Sequence, residues 1–140
     1  MIYVVLGTKA QLIKMAPVMR ALREIGTPYR LISTGQHRET MDDLLANFEL
    51  PPPDMTLYRG PDIVSIPKMI LWATSILWQT LSNRNAIFPD RTPGSIVLVH
   101  GDTFSTLLGA LMGRTAGLSV GHVESGLRSF NLFHPFPEEI

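Results

Sequence analysis

Four short apolar runs in this sequence are each followed by side chains that can transfer protons or hold anions. The residues after these runs are Lys9 and Lys14, then Gln36 and His37, then His100 and Asp102, and last Glu124 and Arg128. Carboxylates in such places can act as general acids or bases, and cations can bind phosphate. Any one of these groups could equally be a solvated loop residue, but four such sets together favour a site.

The elements that must position these groups alternate along the chain. Apolar runs predict strands over residues 2–6, 29–33, 96–99 and 118–123, with a weaker candidate at 54–57. Apolar residues spaced by three and four predict helices over residues 12–25, 39–48, 65–83 and 103–116, and residues 83–95 have the composition of a linker. The alternation predicts an α/β fold with a doubly wound, Rossmann-like parallel sheet in one domain. Ligands of such a sheet bind at the carboxyl ends of its strands, where the polar residues lie.

The composition argues against several classes of partner. The 140 residues are 45% hydrophobic and 17% charged, which is enough apolar sequence for a buried core. Lys plus Arg and Asp plus Glu number 12 each, so the charge predicts no nucleic-acid partner and no membrane partner. The apolar stretches at residues 2–6 and 69–78 are too short for a secretory signal or for the roughly 20 residues of a membrane span. The chain has no cysteine, which permits a reducing compartment, and we expect a cytoplasmic protein.

The stretch GTKAQLIK after the first run is not a P-loop. Ile13 stands where that motif has a glycine, and Met15 stands where it has a hydroxyl residue. Free backbone N–H groups behind Gly7 and Thr8, at the start of a helix, could still bind a phosphate. No GxGxxG follows the first strand, so a nicotinamide or flavin cofactor is disfavoured.

Two histidines each stand two residues before an acid, His100 before Asp102 and His122 before Glu124, a spacing that could suggest a metal site. Gly101 argues against a metal, because a strand that turns there does not keep the histidine and the acid on one side. Two carboxylates at the ends of two strands are better explained as groups for proton transfer in a cleft. Asp102 could alternatively cap the helix that follows it.

The motifs GTKAQLIKMAPV, TGQH, VHGDT, GHVESGLRS and PFPEEI, in this order and spacing, resemble the N-terminal domain of UDP-N-acetylglucosamine 2-epimerases. The resemblance covers nearly the whole chain and is weakest at residues 58–92. It implies the N-terminal half of a glycosyltransferase-B-like pair of doubly wound domains, with the active site between them. Residues 1–140 would form the first domain, cut within the PFPEEI motif, and the second domain would be absent.

The resemblance implies interconversion of UDP-N-acetylglucosamine and UDP-N-acetylmannosamine by elimination and re-addition of UDP. By motif match, the implied catalytic residues are Asp102, Glu124, Glu138 and Lys14. The implied substrate-binding residues are Gly7, Thr8, Lys9, Gln36, His37, His100 and Arg128. Gln36 and His37 match a second, regulatory substrate site of some bacterial members. The implied partner is a UDP-sugar, and the resemblance implies no metal and no organic cofactor.

Two alternatives to this activity stay open. A hydrolysing relative that releases UDP and N-acetylmannosamine shares these motifs. A non-catalytic sugar-nucleotide-binding module would fit the replacement of the family's Arg-Pro-Glu by Lys9, Ala10 and Gln11, since lysine lacks the planar fork that grips a diphosphate. The acids of the motifs oppose that second alternative.

The long apolar helix predicted over residues 65–83 carries Trp72 and Trp78. It has more apolar surface than one small sheet needs as cover. This excess predicts a homodimer contact, which the resemblance also implies.

Overall fold

A computed structural model describes residues 1–37, 41–63 and 65–125 of the chain. These residues contain one five-stranded sheet in the order β3-β2-β1-β4-β5, and every neighbouring pair is parallel. The strands are β1 Ile2–Leu6, β2 Tyr29–Ser33, β3 Met55–Thr56, β4 Ile96–His100 and β5 Ser119–Val123. The helices are α1 Lys9–Glu24, α2 Met41–Asn47, α3 Ile66–Ile87 and α4 Phe104–Thr115. This strand order is the doubly wound, Rossmann-like one, so the predicted fold class is confirmed.

The core lies in two layers, because side chains alternate between the two faces along each strand. Val4 of β1 packs in a cluster with Met15 of α1 and Leu45 of α2. Val5, one residue later, packs in a second cluster with Ile76 of α3 and Met112 of α4. The helices therefore cover both faces of the sheet, and the loops that follow the strands are left at one edge.

Two glycines let α4 lie close to the sheet. A Cβ atom at Gly109 would stand 2.9 Å from a methyl group of Val5 and 2.9 Å from one of Val99. A Cβ atom at Gly113 would stand 3.0 Å from a methyl group of Val97. The face of α4 that carries these two glycines, four residues apart, therefore packs against β-strands.

Two helix boundaries differ from the prediction by three or four residues. Helix α1 begins at Lys9 rather than at residue 12, because Thr8 and Gln11 form a capping box that supports the extra polar turn. Helix α3 runs on to Ile87 across a kink at Asn83, so the first residues of the predicted linker are helical. The start predicted for α2 at residue 39 lies outside the described residues.

The helical N-cap before α4 is Thr103, so the alternative that Asp102 caps this helix is wrong. Because Asp102 lies one position before the cap, its carboxylate is displaced from the first helical N–H groups that a cap would bind. Gly101, with φ at +69°, turns the chain directly after β4. The turn at Gly101 and the placement of the cap leave Asp102 exposed between β4 and α4.

Helix α3 has 22 residues. Neither it nor any other helix in the described part of the chain combines the length and the hydropathy that crossing a bilayer requires.

Candidate active site

The order of the sheet reverses between β1 and β4, and a cleft opens where the loops that follow these two strands diverge. The cleft has a volume of about 230 Å³. Its lining comes from the start of α1, the end of β4 and the end of β5. The residues that line it are Ala10, Gln11, Lys14, His100, Gly101, Asp102, Thr103, His122, Glu124 and Ser125. Four of the predicted site residues, Lys14, His100, Asp102 and Glu124, are therefore brought together.

Glu124 is the electrostatic centre of the cleft. The Nζ atom of Lys14 donates to both of its carboxylate oxygens, at 3.0 and 2.8 Å. The hydrogen bond from Lys14 is the main reason why the pKa of Glu124 lies below its ordinary value, and the nearby His100 adds to the same direction. Partial desolvation opposes this shift. Glu124 is therefore a carboxylate near neutral pH.

The ring of His100 lies on the other side of Glu124. Its Nε2 atom is 3.1 Å from Oε2 of Glu124, within ion-pair distance. Neither ring nitrogen has a well-aligned hydrogen-bond partner among the described residues, although the His100 side chain is only 7% exposed. The 3.1 Å separation places the Glu124 carboxylate directly against the His100 ring. The His100 ring is therefore the second group, after Lys14, that contacts the Glu124 carboxylate.

The backbone at Glu124 is strained. Its φ is +59°, in the left-handed region that residues with a Cβ atom seldom occupy. This conformation directly follows the last residue of β5, Val123, and turns the carboxylate back toward α1 and β4. Strained backbone of this kind is frequent at functional sites.

The two predicted pairs of a histidine and an acid are arranged differently from their spacing in the sequence. His100 meets Glu124, whereas the Nε2 atom of His122 lies 2.6 Å from the carbonyl oxygen of Gly101. Because a carbonyl oxygen can only accept, His122 is the donor in this contact. Among residues 1–37, 41–63 and 65–125, no three His, Cys, Asp or Glu side chains are grouped so that they could hold a metal ion.

The Gln11 side chain occupies two N–H groups of the turn between β1 and α1. The N–H groups of Gly7 and Thr8 both donate to Oε1 of Gln11, at 2.8 and 3.1 Å. These two N–H groups are therefore occupied, and the phosphate site expected at the start of the helix behind them stays a prediction. Gly7 is needed for packing, because a Cβ atom there would stand 1.9 Å from Oγ of Ser105 and 2.2 Å from Oγ1 of Thr34.

Three other predicted binding residues lie at the same edge of the sheet but do not line the cleft. Gln36 is buried, and its Oε1 accepts a hydrogen bond of 2.6 Å from Ser105. The backbone N–H of His37 donates to the carbonyl oxygen of Gly7. Lys9 is the first residue of α1. Their binding roles stay predictions, and Arg128 and Glu138 lie outside the described residues.

Sequence reasoning missed the part played by Gln11. It treated this residue only as a departure from the family pattern, whereas the side chain is buried at the inner end of the cleft. The signal that could have found it is the spacing of Thr8 and Gln11, which is that of a capping box.

Comparison with known proteins decides the family. Residues 20–140 match the family model described as UDP-N-acetylglucosamine 2-epimerase. The chain belongs to the UDP-N-acetylglucosamine 2-epimerase family. The resemblance inferred from the motifs is confirmed.

Individual relatives agree with this assignment. UDP-N-acetylglucosamine 2-epimerase of Yersinia pestis is 38% identical over 137 residues, 96% of this chain and 34% of the relative. That of Bacillus subtilis is 37% identical over 137 residues, 97% of this chain and 34% of the relative. The crystal structure of the Neisseria meningitidis enzyme bound to UDP-GlcNAc matches with a TM-score of 0.80 and 35% identity, over 99% of this chain and 35% of that one. The chain spans about a third of the length of the curated relatives it matches.

Proposed function

We propose that this chain supplies the N-terminal domain of an enzyme that interconverts UDP-N-acetylglucosamine and UDP-N-acetylmannosamine. The observation that carries the proposal is the cleft at the switch point of the sheet, where Lys14, His100, Asp102 and Glu124 converge. Membership of the epimerase family supplies the substrate class. A crystal structure of a relative bound to UDP-GlcNAc adds support for a UDP-sugar.

The reaction to be catalysed is inversion at C2 of the sugar, whose proton is not acidic. Elimination avoids a free carbanion at C2. A base takes the C2 proton, the electrons of the C2–H bond form a C1–C2 double bond, and UDP leaves C1 with the electron pair of the C–O bond. In the return step an oxygen of UDP adds to C1, and a proton is delivered to C2 from the opposite face. This route requires carboxylates around the ring and a cation for the departing diphosphate.

The cleft contains both kinds of group. Asp102 and Glu124 are the carboxylates, and Lys14 is the cation. Because Lys14 holds both oxygens of Glu124, an incoming diphosphate competes with Glu124 for the same ammonium group. Binding of the leaving group would therefore release Glu124 to act as a base.

Nuclear magnetic resonance of the whole protein with UDP-N-acetylglucosamine in deuterated water tests this proposal. The expected result is the appearance of the manno epimer together with deuterium at C2, and loss of both in Glu124→Gln. Accumulation of free N-acetylmannosamine and UDP would instead show the hydrolysing reaction. UDP-sugar binding without turnover would show a non-catalytic module. If the protein neither binds nor converts the UDP-sugar, the proposed function is refuted.

We also propose that the catalytic protein has a second domain, as in a glycosyltransferase-B-like fold, because the relatives are about three times as long as this chain. The cleft described above would then be one wall of the active site, and the 140 residues alone would leave the sugar in bulk water. The expected result for the isolated chain is no turnover and only millimolar UDP affinity, of order 4 kcal/mol. Micromolar binding of UDP to the chain in calorimetry would contradict this, and the genomic sequence beyond residue 140 tests the second domain directly.

A homodimer contact through α3 is part of the same proposal. The outer side of this helix exposes a row of large apolar side chains, Ile66, Ile70, Leu71, Trp78 and Leu81. The side chain of Trp78 is the largest of them, and this residue is 71% exposed. Sedimentation at tens of micromolar should show a dimer that Trp78→Lys weakens. Ile25→Lys is the matched control, because Ile25 is equally exposed but follows α1 on the opposite face of the sheet. A monomeric parent, or equal effects of the two variants, would contradict the contact.

A cytoplasmic location completes the proposal, since the chain has no cysteine that would require oxidising conditions. Fractionation of the producing cells, with detection of this chain by antibody, is the corresponding test.

A further inference from the structure

The Gln11 side chain uses all of its hydrogen-bonding capacity while only 1% of the residue is exposed. Its Oε1 atom accepts from the N–H groups of Gly7 and Thr8 at 2.8 and 3.1 Å. Its Nε2 atom donates to the carbonyl oxygen of His100 and to Oγ1 of Thr106, both at 2.9 Å. An amide has two acceptor and two donor positions, so every one is filled, and the network fixes the orientation of the amide.

These bonds join the two elements that carry the partners of Glu124. Lys14 lies three residues after Gln11 on α1, close to one helical turn. His100 ends β4, and its carbonyl oxygen is held by Gln11 while its ring faces Glu124. We propose that Gln11 is a positioning residue that fixes Lys14 and His100 on either side of Glu124. The inference deepens the proposed function, because it rests on Glu124 being a reacting carboxylate.

The donor half of the amide distinguishes this role from simple helix capping. Thr106 donates its own hydroxyl hydrogen to the carbonyl of His100, at 2.7 Å, and so presents a lone pair to residue 11. Gln11 therefore faces two acceptors, which only a donor can satisfy. A side chain that capped α1 through acceptor atoms alone would leave the end of β4 held less firmly.

The charged surroundings of Glu124 make its titration a readout of this arrangement. Lys14 reaches it from α1 and His100 from β4, and Asp102 lines the same cleft from the loop after β4. The first two lower the pKa of Glu124, and their effect depends on distance. Displacement of either partner must therefore move the titration upward.

The test is the carboxyl carbon resonance of Glu124 followed against pH in the labelled chain, with Glu124→Gln used for assignment. In the parent the midpoint should lie below the ordinary 4.5, and in Gln11→Met, which keeps the length of the side chain without its polar atoms, it should shift upward. Thr8→Val is the matched control. It removes the hydroxyl that caps the N–H of Gln11 and lowers the melting temperature, but it should leave the Glu124 titration in place.

A folded Gln11→Met chain with the parent's titration would overturn the proposal. So would an equal shift in Thr8→Val, because the shift would then report general destabilisation. If Gln11→Met does not fold, Thr106→Val replaces it, since that variant removes one of the two groups that hold the His100 carbonyl and should shift the titration in the same direction.

An activity measurement separates this inference from the function on which it rests. In the whole protein, Gln11→Met should lower kcat by about tenfold to a hundredfold with a smaller change in KM, as expected for a misplaced catalytic group. An upward shift of the Glu124 titration without any epimerase activity in the parent would uphold the positioning and refute the proposed function. An active parent whose kcat and Glu124 titration are both unchanged by Gln11→Met would uphold the proposed function and refute the positioning role.

Discussion

The strained backbone of Glu124 leads to a prediction about stability that does not depend on substrate. Its φ of +59° places the Cβ atom against the neighbouring carbonyl, which costs about 1–2 kcal/mol for a residue other than glycine. Glu124→Ala and Glu124→Gly both remove the carboxylate and its contacts with Lys14 and His100. The two variants differ only in the Cβ atom, so their difference isolates the backbone strain.

The size of this difference follows from two opposing terms. Glycine removes the clash of about 1–2 kcal/mol, but it has more freedom in the unfolded chain, which costs about 0.5–1 kcal/mol relative to alanine. Glu124→Gly should therefore be more stable than Glu124→Ala by about 0.5–1 kcal/mol. With a urea slope of about 2 kcal/mol/M, the midpoints should differ by about 0.3–0.5 M.

Urea titration followed by tryptophan fluorescence measures this difference, because Trp72 is 3% exposed and reports on the core. Ser119 supplies the control, since it is exposed in the extended backbone of the same strand. There the order should be reversed, with Ser119→Ala more stable than Ser119→Gly. A Glu124→Ala chain as stable as Glu124→Gly, with the normal order at Ser119, would refute the strain.

Three further changes have defined outcomes. Gly7→Ala brings a methyl group to 1.9 Å from Oγ of Ser105 and should destabilise the chain by about 1–3 kcal/mol, seen as a lower melting temperature; an unchanged melting temperature would contradict the packing. Lys14→Met should raise the pKa of Glu124 toward its ordinary value of 4.5, because Lys14 is the largest lowering cause. The parent's advantage in stability over this variant should be present above pH 4.5 and vanish as the pH falls through the lower folded value, whereas a constant difference would argue against the ion pair. Asp102→Asn in the whole protein should lower turnover by about a hundredfold or more, measured as deuterium incorporation at C2, and parent-like incorporation would exclude Asp102 as an acid or base.

The sequence predicted the sheet well because most residues of the short strands β1, β2 and β4 are buried. It failed where a boundary depends on contacts distant in the chain. The residues around Asn85 look like a linker, yet α3 continues through them because Ile87 and Phe88 are buried beside the sheet. Phe88 packs edge-on against Tyr3, at 5.1 Å between ring centres. This contact joins residues more than eighty positions apart, so no local sequence pattern could predict it.

The candidate site was predictable as a set of residues but not as a set of partners. The rule that ligands bind at strand ends placed Lys14, His100, Asp102 and Glu124 in one cleft. The pairing of His100 with Glu124 depends on the register of β4 against β5, in which His100 stands opposite Val123. Glu124 is the next residue, and its positive φ turns it toward that histidine. Register across a helical crossover is set by packing of the whole layer, which spacing in the sequence does not reveal.

The two carboxylates of the cleft lie in different environments, and this difference suits a reaction that moves a proton between two faces of a ring. Glu124 is held between Lys14 and His100 and is kept ionised by them. Asp102 stands exposed after the turn at Gly101. The proposed reaction needs one group that takes a proton and one that supplies it, and the two carboxylates reach the cleft from different elements. Because Lys14 is the largest cause that lowers the pKa of Glu124, an anion that draws Lys14 away would raise the proton affinity of this carboxylate.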